Sequence, residues 1–313
     1  MINTRRAVID VGTNSVKLLV AEVSAGRVQP LHEESRQTRL GRGFYETHRL
    51  QPDAIERTAA AVREFARLAQ TQDCVAIRVI ATSAAREAVN PGDLTAAIEQ
   101  AAGLPTEILS GAEEADLVFR GVTTDAELAR QPLLLLDVGG GSTEFILGHG
   151  RKKSFAHSFP LGTVRLMEQF PAGDPPTNAD WAVAHAWVTQ FLRTEVRPHL
   201  QPELAAEAAA GPVQLVGTGG TTSILARLEQ QLNHFDRERI EQTVLTFDQV
   251  AARRQQLWSL PLATRREVPG MPAQRADVIL TGVLIFEALM AEFGFAELHV
   301  STRGLRFAAV LGD

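Results

Sequence analysis

The chain contains 313 residues, 45% hydrophobic and 22% charged, which is typical of a folded globular protein and excludes a disordered or fibrous one. At about 150 residues per domain, this length predicts two domains. A net charge of −6 argues against an extensive nucleic-acid-binding surface. The single cysteine, Cys74, provides neither an internal disulfide nor a zinc framework. No early apolar stretch is long enough for a signal peptide or a membrane span, so we expect a cytoplasmic protein without a membrane partner.

Strands alternate with helices in the first half of the sequence. Apolar runs bounded by glycine indicate strands, and apolar residues at helical spacing indicate helices. The predicted strands are residues 7–11, 16–23, 28–38, 75–81 and 106–109, and the predicted helices are 53–70 and 91–102. Residues 75–81 are predicted to be buried on both faces of a sheet. This alternation predicts an α/β architecture.

The second half begins in the same way, with a short apolar strand, a run of glycines and a further extended segment. The predicted strands are residues 133–137, 143–147, 213–216 and 297–301, and the predicted helices are 178–199, 221–233, 248–258 and 274–293. Two proline-containing stretches, 171–176 and 198–202, are interpreted as loops.

An internal repeat connects the two halves. The segment DVGTNSVK, from Asp10 to Lys17, aligns without a gap with DVGGGSTE, from Asp137 to Glu144, 127 residues later. We call these segments the first and second glycine hairpins. Each follows an apolar strand and precedes another extended segment. The repeat therefore predicts that each domain starts with the same strand–turn–strand unit.

The glycine hairpins have the composition of phosphate-binding turns. Glycines allow close approach to an anion, and successive backbone N–H groups can surround it. Neither hairpin has the spacing of a Walker A loop or of a dinucleotide-binding turn. The residues expected to bind phosphate are Gly12, Thr13, Asn14 and Ser15 in the first hairpin and Gly139, Gly140, Gly141 and Ser142 in the second.

The ends of each hairpin carry charged residues. Asp137 and Glu144 flank the second turn, and two carboxylates beside bound phosphate suit Mg²⁺ or another divalent cation. Asp10 occupies the position of Asp137 in the first hairpin and is a further candidate metal ligand. Lys17 takes the position of Glu144, where it would serve as a cation for phosphate or simply as a solvated strand lysine.

Two residues outside the hairpins are candidate catalytic groups. Ser110 and Glu113 form a capping box, which gives Glu113 a structural role. Glu114 is next to it, and its i+3 and i+4 neighbours, Leu117 and Val118, are apolar, so it is expected to point inward as a general base. A solvated first-turn acid is the alternative. Arg86 follows a predicted strand, where a guanidinium suits phosphate but is also common on surfaces.

A third glycine-rich stretch, residues 217–223, follows a predicted strand and leads into a helix. Backbone N–H groups at such a helix start can bind phosphate, which makes candidates of Gly217, Gly219, Gly220 and Thr221. The eight histidines lack zinc-site spacing, and aromatic residues make up only 6% of the chain. Neither zinc nor single-stranded nucleic acid is therefore expected.

As a set, the motifs resemble the exopolyphosphatase/guanosine pentaphosphate phosphohydrolase family over essentially the whole chain. They are DVGTNSVKLLVAEV, TRLGRGF, ATSAAREAVN, SGAEEADLVFRGV, LLLLDVGGGSTEF, SFPLGTVRL, VGTGGTTSILA and RADVILTGVLIF…VSTRGLR. The resemblance implies the actin-like ATPase fold, with two ribonuclease-H-like domains flanking a central cleft. The expected domains are residues 1–126, joined by a last helix at about 303–313, and residues 127–302.

The resemblance also implies residue roles. Glu114 corresponds to the catalytic base and Arg86 to the arginine that follows a T-S/N-A motif, while Asp137 and Glu144 correspond to acids on the metal and phosphate side. Asp10, Asn14 and Ser15 correspond to the first phosphate-binding loop of the family, and residues 217–221 to its glycine loop in the second domain. Two positions depart from the family pattern. Position 17 is often arginine or histidine in relatives, so Lys17 suggests weaker contact with a distal phosphate. Phe307 stands in the stretch after GLR, where relatives often carry another glycine.

The expected activity is Mg²⁺-assisted hydrolysis of the terminal phosphate of polyphosphate, in the short two-domain form of the family. Guanosine pentaphosphate is the alternative substrate for the same site. Two alternatives belong to other functional classes. One is an actin-like nucleotide-binding regulator or sugar kinase, and the other is a polyphosphate-binding protein without catalysis. The resemblance further suggests a homodimer.

Overall fold

The computed structural model describes residues 4–209 and 211–312. These residues form two compact units. Unit 1 contains the residues up to Thr124 together with those from Arg303 onward, and unit 2 runs from Asp125 to Thr302. Both units are α/β.

Unit 1 begins with three strands and then alternates helices with strands. Its elements are β1 (Thr4–Val11), β2 (Ser15–Ser24), β3 (Arg27–Gln37), α1 (Pro52–Thr71), β4 (Ala76–Ala81), α2 (Ser83–Glu87), α3 (Pro91–Ala102), β5 (Thr106–Ile108) and α4 (Gly111–Val122). The residues that return from the end of the chain add a short helix, Leu305–Ala309.

The sheet of unit 1 has the strand order β3-β2-β1-β4-β5. The first three strands form an antiparallel meander, and β4 and β5 are added parallel to β1. Apolar residues of β1, β2, α1 and α3 form the core of the unit. Helix α1 shows why the chain folds this way, because Ile55, Val62 and Phe65 lie at helical spacing on one buried face.

Unit 2 has the same beginning and a larger set of helices. Its elements are β6 (Pro132–Val138), β7 (Thr143–His149), β8 (Lys152–Phe159), α5 (Thr163–Gln169), α6 (Asn178–Phe191), α7 (Arg197–Ala208), β9 (Gln214–Thr218), α8 (Gly219–Glu229), α9 (Arg237–Glu241), β10 (Val244–Thr246), α10 (Phe247–Trp258), α11 (Leu262–Arg266), α12 (Ile279–Phe293) and β11 (Glu297–Val300). Helix α13 (Leu305–Ala309) then belongs to unit 1.

The sheet of unit 2 has the order β10-β11-β9-β6-β7-β8. Strands β6, β7 and β8 form an antiparallel meander, and β9 and β11 are added parallel to β6. The core includes α12, whose described residues from Ile279 to Met290 are all buried. Apart from the extra edge strand β10, the strand connectivity repeats that of unit 1. The internal repeat seen in the sequence is thus a repeat of topology.

Several predictions from the sequence need correction. Residues 198–202 are not a loop, because Pro198 lies in the first turn of α7 and Pro202 lies inside it. A first-turn proline lacks an N–H that the helix would not use, and burial of Leu200 and Leu204 holds the remaining turns. The helix predicted at 178–199 is present and longer than predicted, because α6, a π-helical turn at Leu192–Val196 and α7 follow one another without a gap.

The strand predicted at 75–81 is buried only in its second half. Val75 is 71% exposed and Ala76 is also exposed. Strand β5 pairs with β4 only along Val79–Ala81, so the earlier residues have no neighbouring strand on that side. Strand β8 was missed because KKSFAHSF has too few apolar residues to indicate a strand.

The predicted helix at 274–293 also begins differently. A short 3₁₀ turn, Ala273–Arg275, precedes α12, which starts at Ile279. Among the residues that the structure describes, no helix is long and apolar enough to cross a membrane.

Candidate active site

The first glycine hairpin joins β1 to β2 in unit 1. Asp10 and Lys17 are directly opposite each other in the antiparallel register. The turn between them is closed by Gly12, whose N–H donates to the carbonyl of Ser15 at 3.0 Å. Directly opposed residues share one face of a sheet, so the carboxylate and the ammonium group project from the same side of the hairpin.

The second glycine hairpin joins β6 to β7 in unit 2 with the same geometry. Asp137 is directly opposite Glu144, and the N–H of Gly139 donates to the carbonyl of Ser142 at 2.9 Å. The turn-closing hydrogen bonds occupy equivalent positions in the two hairpins. The gapless alignment made from the sequence is therefore confirmed by the strand registers.

Polar groups at the first turn are buried without a hydrogen-bonding partner in the described chain. They are Oγ1 of Thr13 and Nδ2 of Asn14, and both residues are almost fully buried. Burying such groups is costly unless a partner is supplied. An oxyanion is a suitable partner for an amide donor and a hydroxyl, which is consistent with the predicted phosphate-binding role.

The segment from Thr38 to Gly41 supports this turn from outside. The N–H groups of Arg39 and Gly41 donate to the carbonyls of Asn14 and Thr13 at 3.0 and 2.7 Å. Gly41 is packed so closely against the Thr13 side chain that a Cβ there would collide with it. The backbone of the turn is thus fixed by a neighbouring segment of the same unit.

Asp10 lies in a buried and partly cationic environment. Burial raises the pKa of its carboxyl, and the charges of Lys17 and Arg306 act in the opposite direction. Arg306 comes from α13, where it donates to the carbonyl of Leu18 at 2.8 Å. Helix α13 can approach closely because the Gly304 backbone lies where a side chain on Gly121 of α4 would be.

Glu114 and Arg86 form an ion pair inside unit 1. Helix α4 starts with the predicted capping box of Ser110 and Glu113, which orients its first turn. Glu114 is 8% exposed, so the prediction that it points inward is confirmed. Its Oε2 accepts from Nη1 of Arg86 at 2.7 Å, and the same nitrogen donates to the carbonyl of Leu109 at 2.9 Å.

Glu144 is held from two sides in the second hairpin. The hydroxyls of Ser142 and Ser158 both donate to its Oε1, at 2.9 and 2.7 Å. Ser158 is on β8, directly opposite Glu144 in the register. Glu144 is 1% exposed, whereas Asp137 is only partly buried. The two acids of this hairpin therefore have different environments.

The start of α5 braces the second turn. The N–H groups of Thr163 and Val164 donate to the carbonyls of Gly139 and Gly140, and Nε of Arg165 donates to the carbonyl of Gly141 at 2.8 Å. With their carbonyls engaged in this way, the turn glycines keep a fixed backbone. A fixed backbone is what a preorganised anion site needs.

Side chains from other segments pack closely against the third glycine stretch, which the sequence does not indicate. Gly217 belongs to β9, and α8 begins at Gly219. Gly219 has a φ of +88°, and a Cβ there would collide with the Asp137 carboxylate. The Arg275 Nη2 atom lies only 2.7 Å from where a Cβ on Gly220 would be. These two glycines thus make room for an acid and for a cation. Thr221 is buried in α8.

Arg275 was missed by the sequence analysis. Its Nε is buried and has no hydrogen-bonding partner among the described residues. Burial lowers the pKa of its guanidinium, and the charge of Asp277 partly opposes this. A guanidinium with a buried, unpartnered Nε, next to Gly220 at a helix start, suits an oxyanion. The RADVILTG motif contained the residue but did not show which way it pointed.

Ser158 and the segment 38–41 were also missed as functional candidates, although both lie in motifs that carried the resemblance. Within residues 4–209 and 211–312, no group of three or more histidine, cysteine, aspartate or glutamate residues is placed to hold a metal ion. Mg²⁺ commonly uses one or two carboxylates, with water and substrate phosphate completing its coordination. A pair such as Asp137 and Glu144 is compatible with that mode.

Two α/β units that repeat one strand topology, each opening with a braced glycine hairpin, indicate the actin-like fold class. Solved structures support this class. The PPX-GPPA enzyme of Aquifex aeolicus matches all of this chain and all of its own, with a TM-score of 0.78 and 30% identity. An exopolyphosphatase from Cytophaga hutchinsonii matches 97% of this chain and 96% of its own, with a TM-score of 0.84 and 27% identity.

The chain belongs to the Ppx/GppA phosphatase family, whose family model matches residues 19–312. It is 35% identical to Exopolyphosphatase 2 of Mycobacterium tuberculosis over 311 residues, covering 95% of each protein. The chain is accordingly a phosphoanhydride hydrolase.

Proposed function

We propose that this enzyme hydrolyses the terminal phosphoanhydride bond of inorganic polyphosphate and releases orthophosphate. The observation that carries the choice of substrate is the similarity to Exopolyphosphatase 2 along 95% of both chains. The chemistry of each unit agrees with it. The unpartnered atoms of Thr13 and Asn14 in unit 1, and that of Arg275 in unit 2, suit phosphate oxygens, which are the repeating feature of polyphosphate.

The proposed base is Glu114. Its carboxylate would accept a proton from water as the oxygen attacks the terminal phosphorus, while the bond to the bridging oxygen breaks. Arg86 fixes one oxygen of this carboxylate at 2.7 Å and is itself fixed by the Leu109 carbonyl. Phosphoryl transfer depends mainly on positioning and charge stabilisation, so a held carboxylate is more useful than a mobile one.

The proposed cofactor is Mg²⁺, and its candidate ligands in unit 2 are Asp137 and Glu144. The donor set fits, because both are hard carboxylates and Gly219 leaves the space beside Asp137 that a side chain would fill. When bound, Mg²⁺ would supply charge neutralisation for phosphate oxygens. In unit 1 the equivalent acid, Asp10, is opposite Lys17, so we assign that hairpin mainly to phosphate binding.

Orthophosphate release from several substrates tests this proposal. The purified protein would be given tripolyphosphate, long-chain polyphosphate, guanosine pentaphosphate and ATP with Mg²⁺, and kcat/KM compared. We expect the highest value for a polyphosphate. A higher value for guanosine pentaphosphate would reassign the substrate and keep the reaction. Phosphorylation of a small acceptor by ATP, without phosphate release from polyphosphate, would overturn the proposed reaction.

A further inference from the structure

Arg265 is a buried cation that the proposed chemistry does not use. It lies on α11, and its side chain is only 3% exposed. Its donors are directed at backbone carbonyls: Nε to Leu257 at 3.1 Å, Nη1 to Ala276 at 2.9 Å and Nη2 to Leu260 at 2.8 Å. A guanidinium has the fixed fork of donors that such a three-way link requires.

The three carbonyls belong to two different segments. Leu257 and Leu260 lie at and just beyond the end of α10, where carbonyls have no helical partner. Ala276 follows the 3₁₀ turn Ala273–Arg275 and is adjacent to Arg275 in sequence. Arg265 therefore ties the end of α10 to the backbone beside Arg275.

The link has a consequence for the Arg275 side chain. The 3₁₀ turn is short, and apart from the Arg265 link its described backbone bonds are local, from Arg275 to Pro272 and from Ala276 to Ala273. With Ala276 fixed from outside, the guanidinium of Arg275 is held beside Gly220 at the start of α8. The Ala276 side chain is also buried in the core of unit 2, so loss of the link is expected to shift the turn and Arg275 without unfolding it.

We propose that Arg265 is a positioning residue for Arg275, which it aims at the glycine stretch of unit 2 by fixing the Ala276 carbonyl. The inference rests on the proposed function, in which Arg275 contacts substrate phosphate. Arg265 is assigned no contact with substrate, and its proposed effect on substrate binding acts through Arg275.

A double-mutant cycle tests this inference. Arg265→Lys keeps the charge but cannot reach three carbonyls, so we expect KM for tripolyphosphate to rise by roughly tenfold, the scale of one misplaced charged hydrogen bond, with a smaller change in kcat. In an Arg275→Gln background the same substitution should change KM by less than about twofold, because coupled residues are not additive. An undiminished effect in that background, or no effect in the parent, would overturn the proposal.

Arg254→Lys is the matched control. Arg254 is another little-exposed arginine of unit 2, but its fork binds the Glu287 carboxylate and not the segment beside Arg275. This substitution should lower the thermal unfolding temperature without raising KM. A rise in KM equal to that of Arg265→Lys would show that general loosening of unit 2 explains both, and would contradict the inference.

Crystal structures give a readout that does not depend on activity. In Arg265→Lys we expect the Arg275 guanidinium to leave Gly220, and an unmoved guanidinium would overturn the positioning role. If that variant does not fold, a Glu114→Gln complex with tripolyphosphate decides instead, since Arg275 should contact phosphate with the Arg265 bonds intact. An Arg275 turned away from phosphate would contradict the inference. Failure of the wild-type protein to hydrolyse any of the substrates would refute the proposed function. The position of Arg275 in the crystal structure of Arg265→Lys tests the positioning role independently of that result.

Discussion

Arg86 and Glu114 are 28 positions apart in sequence, yet they form a 2.7 Å ion pair in which one guanidinium nitrogen also binds the Leu109 carbonyl. The carboxylate thus has a fixed orientation at the start of α4. The pair connects α2, which carries Arg86, to the first turn of α4. The sequence indicates each of the two residues as a candidate for a separate reason.

Glu114→Gln tests the proposed base. We expect kcat for polyphosphate hydrolysis to fall by about 10² to 10⁴, the usual contribution of a general base, with little change in KM. Steady-state phosphate release measures both constants. Glu113→Gln is the matched control, since Glu113 is the adjacent acid but is exposed and engaged in the capping box. Full turnover by Glu114→Gln would remove the assignment.

Arg86→Lys tests the orientation of that carboxylate. Lysine keeps the charge but cannot reproduce the guanidinium geometry, so we expect kcat/KM to fall by roughly 10- to 100-fold. The loss should shrink in a Glu114→Gln background, because the two residues act as a unit. Equal losses in both backgrounds would mean that Arg86 acts independently of Glu114.

Ser158→Ala tests the support of Glu144. Removing one of two hydroxyls that donate to Oε1 should raise the Mg²⁺ concentration needed for half-maximal activity by about 10-fold, as expected for loss of a group that orients a metal ligand. Ser154→Ala is the control, because that serine is on the same strand and its hydroxyl donates to the Leu147 carbonyl at 3.4 Å, away from Glu144. Activity titrated with Mg²⁺ distinguishes them. An unchanged Mg²⁺ requirement in Ser158→Ala would count against the assignment of Glu144 as a ligand.

Gly220→Ala tests the position of Arg275. The added Cβ would be 2.7 Å from Nη2, so the flexible end of the arginine should move while α8 stays intact. We expect KM for tripolyphosphate to rise by roughly tenfold, with thermal stability nearly unchanged. Gly92→Ala provides the comparison, since Gly92 lies in helix α3 with open space where a Cβ would be. Its free energy of unfolding should increase by up to about 1 kcal/mol. Identical kinetics for the two variants would refute the role of Arg275.

Asp10 gives a prediction about pH. Burial raises the pKa of its carboxyl above the model-peptide value of 3.8, so the folded state binds a proton over a range in which the unfolded state does not. The contribution of Asp10 to the free energy of unfolding therefore falls as pH rises from about 3.8 to the raised pKa, and is constant above it. Asp10→Asn should remove this decrease. Urea unfolding of both proteins between pH 4 and 7 measures this effect. The free energy of unfolding of the wild type should fall relative to that of Asp10→Asn as the pH rises, and a rise relative to the variant would contradict the sign.

The sequence by itself determined the α/β class, the repeated hairpins and most of the strands that carry them. These features are local, because apolar runs, glycines and capping residues act over a few neighbouring positions. The capping box at Ser110 and the inward direction of Glu114 followed from the spacing along one helix. The equivalence of Asp10 with Asp137 followed from the repeat and reappears in the two registers.

The tertiary structure decided which distant groups meet. Nothing local places the Ser158 hydroxyl on Glu144, the Thr38–Gly41 backbone on the first turn or Arg275 beside Gly220, since each contact joins segments far apart in sequence. Packing also overrode local signals, as where Pro198 and Pro202 stand within α7 because Leu200 and Leu204 are buried. Residue type and short-range spacing thus set the chemistry available, whereas sheet register and helix packing decided which of those groups hold one another in place.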